Sequence, residues 1–259
     1  MQLISLARNP VPSGAKSGTF KGYDGHDLRY ARWEATRGPR RGTICIFEGR
    51  TEFIEKYFET VGDLRRRGFA VAIMDWRGQG GSARPVGDPR KGHIHSFSEY
   101  DRDLRCFMRD VVLPDCPPPF IALGHSMGGH IALRSMAEPG CWFDSAVLAA
   151  PMIELTREVL GFPRGLVEFY ARLGVASRFG RSYVRGGSDE PGYTTEFEGN
   201  MLSSDTERFR RNRQIERAAP ELLLGSPTIG WLDAAMRSMR QMRHEDFASR
   251  VRVPALIFG

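Results

Sequence analysis

The sequence has no apolar run long enough to span a bilayer, so no membrane-crossing helix is expected. Cysteine is scarce, and Cys45, Cys106, Cys116 and Cys141 form no C-x-x-C pair. That spacing argues against thiolate metal sites and redox motifs, and all four read as reduced thiols. Residues 1–14 hold no apolar segment followed by a small-residue cleavage site, so no signal peptide is expected. Together these absences favour a cytoplasmic protein. One glycine-rich stretch, Asp75-Trp76-Arg77-Gly78-Gln79-Gly80-Gly81-Ser82, lacks the Lys-Ser/Thr ending of a phosphate loop, and it opens no helix. It is expected to be a structural loop. The net charge of +6 favours anionic contacts, yet no nucleic-acid motif accompanies it, and nucleic acid is set aside. No internal repeat or low-complexity tract is present, and no metal or organic cofactor is implied.

What is present centres on residues 120–134. The apolar Phe120-Ile121-Ala122-Leu123 reads as a buried strand, and Ile131, Ala132 and Met136 belong to a helix. Between them stands Gly124-His125-Ser126-Met127-Gly128-Gly129, a G-x-S-x-G pattern. A strand that turns directly into a helix forces its turn residue into a strained, exposed conformation, and the glycines let the chains approach. Such a turn lifts the Ser126 hydroxyl above the sheet edge. The first N–H groups of the helix point the same way, with its dipole behind them. That arrangement suits a nucleophile whose product is an oxyanion.

The flanking chain alternates strands and helices. Asp24-Gly25 marks a hairpin within residues 19–33, with a two-residue turn. Residues 43–47 and 69–74 read as buried strands, joined by a helix over 52–67 with Ile54, Tyr57, Phe58, Val61 and Leu64 on one face. A crossover of that length makes the strands parallel. Ser96 to Glu99 form a capping box that opens a helix ending before Pro114, and residues 146–149 form a further strand. The expected fold is α/β, with a mostly parallel sheet between helices. Residues 1–150 form the first part of the core. Residues 151–242 hold helical pieces, many arginines and no convincing strand, and read as a helical cap. Residues 243–259 return to the core with a strand over 253–259.

These stretches together resemble an α/β-hydrolase of the monoacylglycerol-lipase and bacterial lysophospholipase type. Phe47-Glu48-Gly49-Arg50-Thr51-Glu52 is similar to the oxyanion loop of bacterial lysophospholipases, and Asp75 to Ser82 to a D-x-R-G-x-G-x-S loop. Gly92-His93-Ile94 and residues 124–129 carry the resemblance onward, as do Asn200 to Asp205 and Gly225-Ser226-Pro227-Thr228 with Trp231 in the cap. Many lipases of the group have His-Gly in the oxyanion loop. Glu48-Gly49 stands here, which favours a lysophospholipase over a monoacylglycerol lipase.

The resemblance implies a serine hydrolase of acyl esters, a lysophospholipase or, as the alternative, a monoacylglycerol lipase or general carboxylesterase, with Ser126 as nucleophile and the backbone N–H groups of Arg50 and Met127 as oxyanion donors, worth ~3 kcal/mol each in comparable sites. Its partner is a lipid or ester small molecule, with peripheral contact to an anionic membrane surface. The triad Asp is expected after the strand at 253–258 and the triad His one strand later, beyond Gly259. Within the chain, His125 is expected to pack away from the nucleophile, His130 to lie on a helix face, and His93 and His95 to be structural. His244, with Asp233 or Asp246, keeps the order Ser, Asp, His only loosely. A chain that keeps the pocket without acid or base would be a binding protein instead. The arginines 208, 210, 211, 213 and 217 read as a solvated helix face or, alternatively, as a surface for anionic headgroups.

Overall fold

The computed structural model of the protein describes residues 2–156, 161–190, 196–200 and 203–259. Strands β1 (Lys16–Lys21), β2 (Asp27–Trp33), β3 (Thr43–Phe47), β4 (Ala70–Met74), β5 (Phe120–His125), β6 (Ser145–Ala149) and β7 (Ala255–Phe258) form one sheet in the order β1-β2-β4-β3-β5-β6-β7. β1 and β2 are antiparallel to their neighbours, and β4, β3, β5, β6 and β7 run parallel. This is the mostly parallel sheet expected from the alternation of elements.

Side-chain alternation divides the core into two layers. Ile44 and Ile46 of β3, with Val71 and Ile73 of β4, face helix α1 (Phe58–Arg66) through Phe58 and Val61. Cys45, Phe47, Ala72 and Met74 face the other way, towards α2 (Ser98–Phe107) and α3 (Met127–Met136), through Leu104, Phe107 and Ile131. Between β6 and β7 lie α4 (Arg164–Ala176), α5 (Thr206–Ala218), α6 (Ile229–Met242) and α7 (Glu245–Arg250). A Cβ on Gly174 of α4 would stand 2.7 Å from Ile229 Cγ2, so glycine lets α4 lie close on α6.

Four local expectations are corrected. The β1–β2 connection is the five-residue segment 22–26, not a two-residue turn. Its Asp24 is held by the Arg77 guanidinium at 2.8 and 3.1 Å, and the Tyr23 N–H donates to Asp103 Oδ1, so tertiary partners set the loop. The helix expected over 52–67 opens as a 3-10 turn (Ile54–Tyr57) before becoming α-helical at Phe58. The helix at Ser98 continues past Phe107 as a π-helical stretch and a last α-turn that contains Pro114. In its capping box only the reciprocal half forms. Glu99 Oε1 accepts from the Ser96 N–H at 3.1 Å, while Ser96 Oγ takes the Ser98 N–H.

All four cysteines are free thiols. Among the described residues no helix is long and apolar enough to cross a membrane.

Candidate active site

β5 ends at His125, and α3 begins at Met127. The residue between them, Ser126, has φ 47° and ψ −113°, a conformation that L-residues rarely adopt. Thr51 after β3 and Ala150 after β6 also have positive φ, so three of the four such non-glycine residues among those described follow strands of the sheet, the other being Arg178 after α4. The elbow glycines are required by space. A Cβ on Gly124 would lie 2.6 Å from Gly129 Cα, and one on Gly128 would lie 2.1 Å from Phe47 O. The helix start is thereby pressed against the loop that follows β3. Ser126 N–H donates to Ala149 O, and its carbonyl accepts from Met152 N–H, both at 3.0 Å, which ties the turn to the chain after β6.

The loop after β3 is clamped from below by residues 75–82, which act as the expected structural loop. Gln79 Nε2 donates to Glu48 Oε1, Gly49 O and Glu52 O at 2.8 to 3.0 Å, and Trp76 Nε1 donates to Glu48 O at 2.9 Å. Glu48 is fully buried, and burial together with the nearby Asp75 charge pushes its carboxyl well above the usual carboxylate range. Asp75 accepts from Arg29 Nε at 2.6 Å and from the Ile54 N–H at 3.0 Å, and Arg29 also forks onto Glu55 at 2.8 and 2.9 Å. All three of these charged side chains are fully buried.

Ser126 opens on a cavity of about 600 Å³ whose wall includes Arg50, Leu155, Leu166, Val167 and Trp231. Most of the described lining comes from side chains between β6 and β7. Among the described residues no histidine is hydrogen-bonded to the Ser126 hydroxyl. His130 is buried, with Nδ1 2.7 Å from Met152 O and Nε2 2.6 Å from Ser238 Oγ. A carbonyl only accepts, so Nδ1 carries the proton and Nε2 accepts from the Ser238 hydroxyl, while burial holds the ring's pKa down to about 3. His93 bonds Thr228 Oγ1 at 3.1 Å, and His244 stands 3.5 Å from Asp246 in solvent. Asp233 pairs with Arg237. His125 differs from expectation. It is half-exposed, and its Nδ1 lies 2.9 Å from Glu52 Oε2, which also accepts from the Gly49 N–H and from Tyr57 Oη. The Glu52 hydrogen bond raises the His125 pKa. Elbow and loop are therefore tied together by a pair 73 residues apart in sequence.

The arginine run on α5 lies partly on a solvated face, with Arg208, Arg210 and Arg217 exposed and Arg211 and Arg213 half-buried, and four of the five hold carboxylates. Arg208 and Arg211 hold Glu59, Arg210 holds Glu207, and Arg213 holds Glu216. Met201 and Leu202, part of the cap pattern, lie outside the described residues. No group of His, Cys, Asp and Glu suited to a metal ion occurs among the described residues.

Residues 38–259 match the family model described as serine aminopeptidase, S33. The chain belongs to this family of α/β-hydrolases. Among its relatives, lysophospholipase L2 of Escherichia coli K12 is 33% identical over 224 residues, 86% of this chain and 64% of that protein. The monoacylglycerol lipase of Mycolicibacterium smegmatis is 28% identical, over 55% of this chain and 49% of that protein. The chain thus spans just under two thirds of the length of lysophospholipase L2. Of solved structures, a soluble variant of Saccharomyces cerevisiae monoglyceride lipase with a substrate analogue superposes with TM-score 0.69 at 17% identity, over 95% of this chain and 76% of that one. A Bacillus coagulans carboxyl esterase in complex with glycerol gives 0.67 at 20% identity, over 95% and 79%. Those two likenesses establish the α/β-hydrolase fold, and the family match reaches from residue 38, ahead of β3, through β7.

Proposed function

We propose that the protein is a serine hydrolase of carboxylic esters and that its substrate is a lysophospholipid, with monoacylglycerol the nearest alternative. The observation that carries this reading is Ser126, held at a strained strand-to-helix turn and opening on a largely apolar cavity. Ser126 Oγ attacks the acyl carbonyl, and the oxyanion accepts from the backbone N–H groups of Arg50 and Met127. Among the described hydrogen bonds neither N–H is committed to a protein acceptor, which supports that role. Collapse of the oxyanion intermediate breaks the ester C–O bond, the alcohol leaves with the proton that Ser126 gave up to the general base, and water then hydrolyses the acyl-enzyme and releases fatty acid. The relatives' names support the substrate class, lysophospholipase L2 above all.

The general base and its acid are assigned to sequence C-terminal to β7, as the resemblance implies. Of the histidines considered within the chain, His93, His125, His130 and His244 have the partners given above, and none is bonded to Ser126 among the described residues. The helices between β6 and β7 serve as the cap. Leu166, Phe169 and Leu173 make an exposed apolar row on α4, flanked by exposed Phe162 and Phe179, and this row supports peripheral contact with a lipid surface. A cytoplasmic location is part of the same reading.

The test is fatty-acid release from lysophosphatidylcholine and from monoacylglycerol of equal chain length, by protein from the complete reading frame. Faster turnover of the lysophospholipid, abolished in Ser126→Ala, is expected. Preference for monoacylglycerol would move the assignment to the alternative, and undiminished turnover by Ser126→Ala would reject the nucleophile.

A further inference from the structure

The side chain of Arg50 has a place in the site that its backbone N–H does not require. It lines the cavity beside Ser126. The guanidinium lies 5.3 Å from the centre of the Trp231 ring, and Nη2 donates to Gly225 O at 2.8 Å. Nε is buried without an acceptor. Among the described residues no carboxylate pairs with this group. The buried arginines of the core are treated differently: Arg29 holds Glu55 and Asp75, and Arg77 holds Asp24 and Asp103. Burial pulls the pKa of Arg50 down to about 10, which leaves it cationic at neutral pH. Arg50 is half-buried with its Nε out of solvent, and a partly desolvated cation with no counter-ion is costly, whereas a structural tie to one carbonyl needs no charge.

The rest of the wall shows what would complement that charge. A second cation, Arg185, lines the same cavity, and no Asp or Glu does among the described residues. Most of the remaining lining is apolar, including Leu155, Leu166 and Val167. A ligand that fits is an alkyl or acyl chain ending in an anion. A guanidinium offers parallel N–H donors spaced for two oxygens of one phosphate.

We propose that Arg50, with Arg185 on the same cavity wall, receives the phosphoryl group of an amphiphilic acyl substrate and so selects phosphorylated substrates over neutral acylglycerols. This assignment rests on the hydrolase reading above for its meaning in turnover, but it is a statement about binding and is tested as one. Decyl phosphate, decanoate and decanol are titrated calorimetrically, below their micelle or solubility limits, into the parent protein and into Arg50→Gln and Arg50→Met. The parent is expected to bind decyl phosphate at least tenfold more tightly than decanol, and both variants to reduce that ratio at least tenfold. If Arg50 were only a brace to Gly225, the variants would weaken both ligands alike and leave the ratio where it was, which overturns the proposal. A parent that binds decanoate as tightly as decyl phosphate overturns the phosphoryl assignment. Should neither variant fold, the preference of the parent alone decides, and a preference below tenfold rejects the idea. Fluorophosphonate labelling of Ser126 in the parent reports separately on the hydrolase reading, so either claim can fail without the other.

Discussion

Ser126 carries a conformational cost that the rest of the site maintains. A non-glycine residue at φ 47° stores on the order of 1–3 kcal/mol. Ser126→Gly is therefore expected to be more stable than Ser126→Ala by about 1 kcal/mol, read from denaturant unfolding, after the extra chain entropy of glycine is subtracted. Equal stabilities would mean that the turn is not strained. The His125–Glu52 pair makes a different demand. Burial alone would raise the Glu52 carboxyl, but the hydrogen bond and charge of His125 bring it from 4.5 down to about 2. Its contribution is complete above about pH 4.5 and is lost as pH falls through about 2. His125 is raised above 6.5, so its contribution is complete below that pH and is lost as pH rises through the raised value. The pair is at full strength between about pH 4.5 and 6.5. Because His125 is half-exposed, its worth is held to about 1 kcal/mol or less. The melting-temperature gap between the parent and His125→Asn should be wider at pH 5.5 than at pH 9, and a gap constant across that range would remove the pair from the account. Ser126 was legible in the sequence because G-x-S-x-G encodes a backbone geometry. The role of His125 was not, because its partner lies on a loop distant in sequence.

At the scale of elements, the sequence reports strands and helices more faithfully than their ends. The buried runs of β3 and β4 and the 3.6-residue rhythm of α1 depend on local pattern, and they appear where expected. The hairpin loop does not, because Arg77 and Asp103 reshape it. The arginines of α5 looked like a free basic face because Glu59, which two of them hold, lies on α1. The tightest junction between elements is Gly128 of α3 against Phe47 O and Glu48 O at the end of β3. Gly128→Ala puts a methyl group into backbone that cannot rotate aside. The expected cost is about 1–3 kcal/mol of stability. The displaced helix start should also slow Ser126 labelling by at least tenfold. Labelling at the parental rate would show that this contact does not position the nucleophile.

Across the whole molecule, the sheet carries the candidate site at one end, where the loop after β3, the elbow after β5 and the chain after β6 converge. A buried set of charges, Arg29 with Glu55 and Asp75, lies beneath it, and Gln79 holds the loop above. The helices between β6 and β7 supply the apolar wall, and their pairing of α4 on α6 was visible in the sequence only as helical pieces. The α/β architecture was legible because alternating strands and helices leave few topologies open. The cavity was not, since its lining residues come from loops and helices whose relative placement no local pattern encodes. The central claim is that this framework activates Ser126 as a nucleophile. The most direct measurement is reaction of protein from the complete reading frame with a fluorophosphonate, followed by peptide mapping of the adduct. The account predicts one adduct, on Ser126, absent in Ser126→Ala and suppressed by lysophospholipid. An unlabelled protein, or an adduct mapped to another residue, would contradict it.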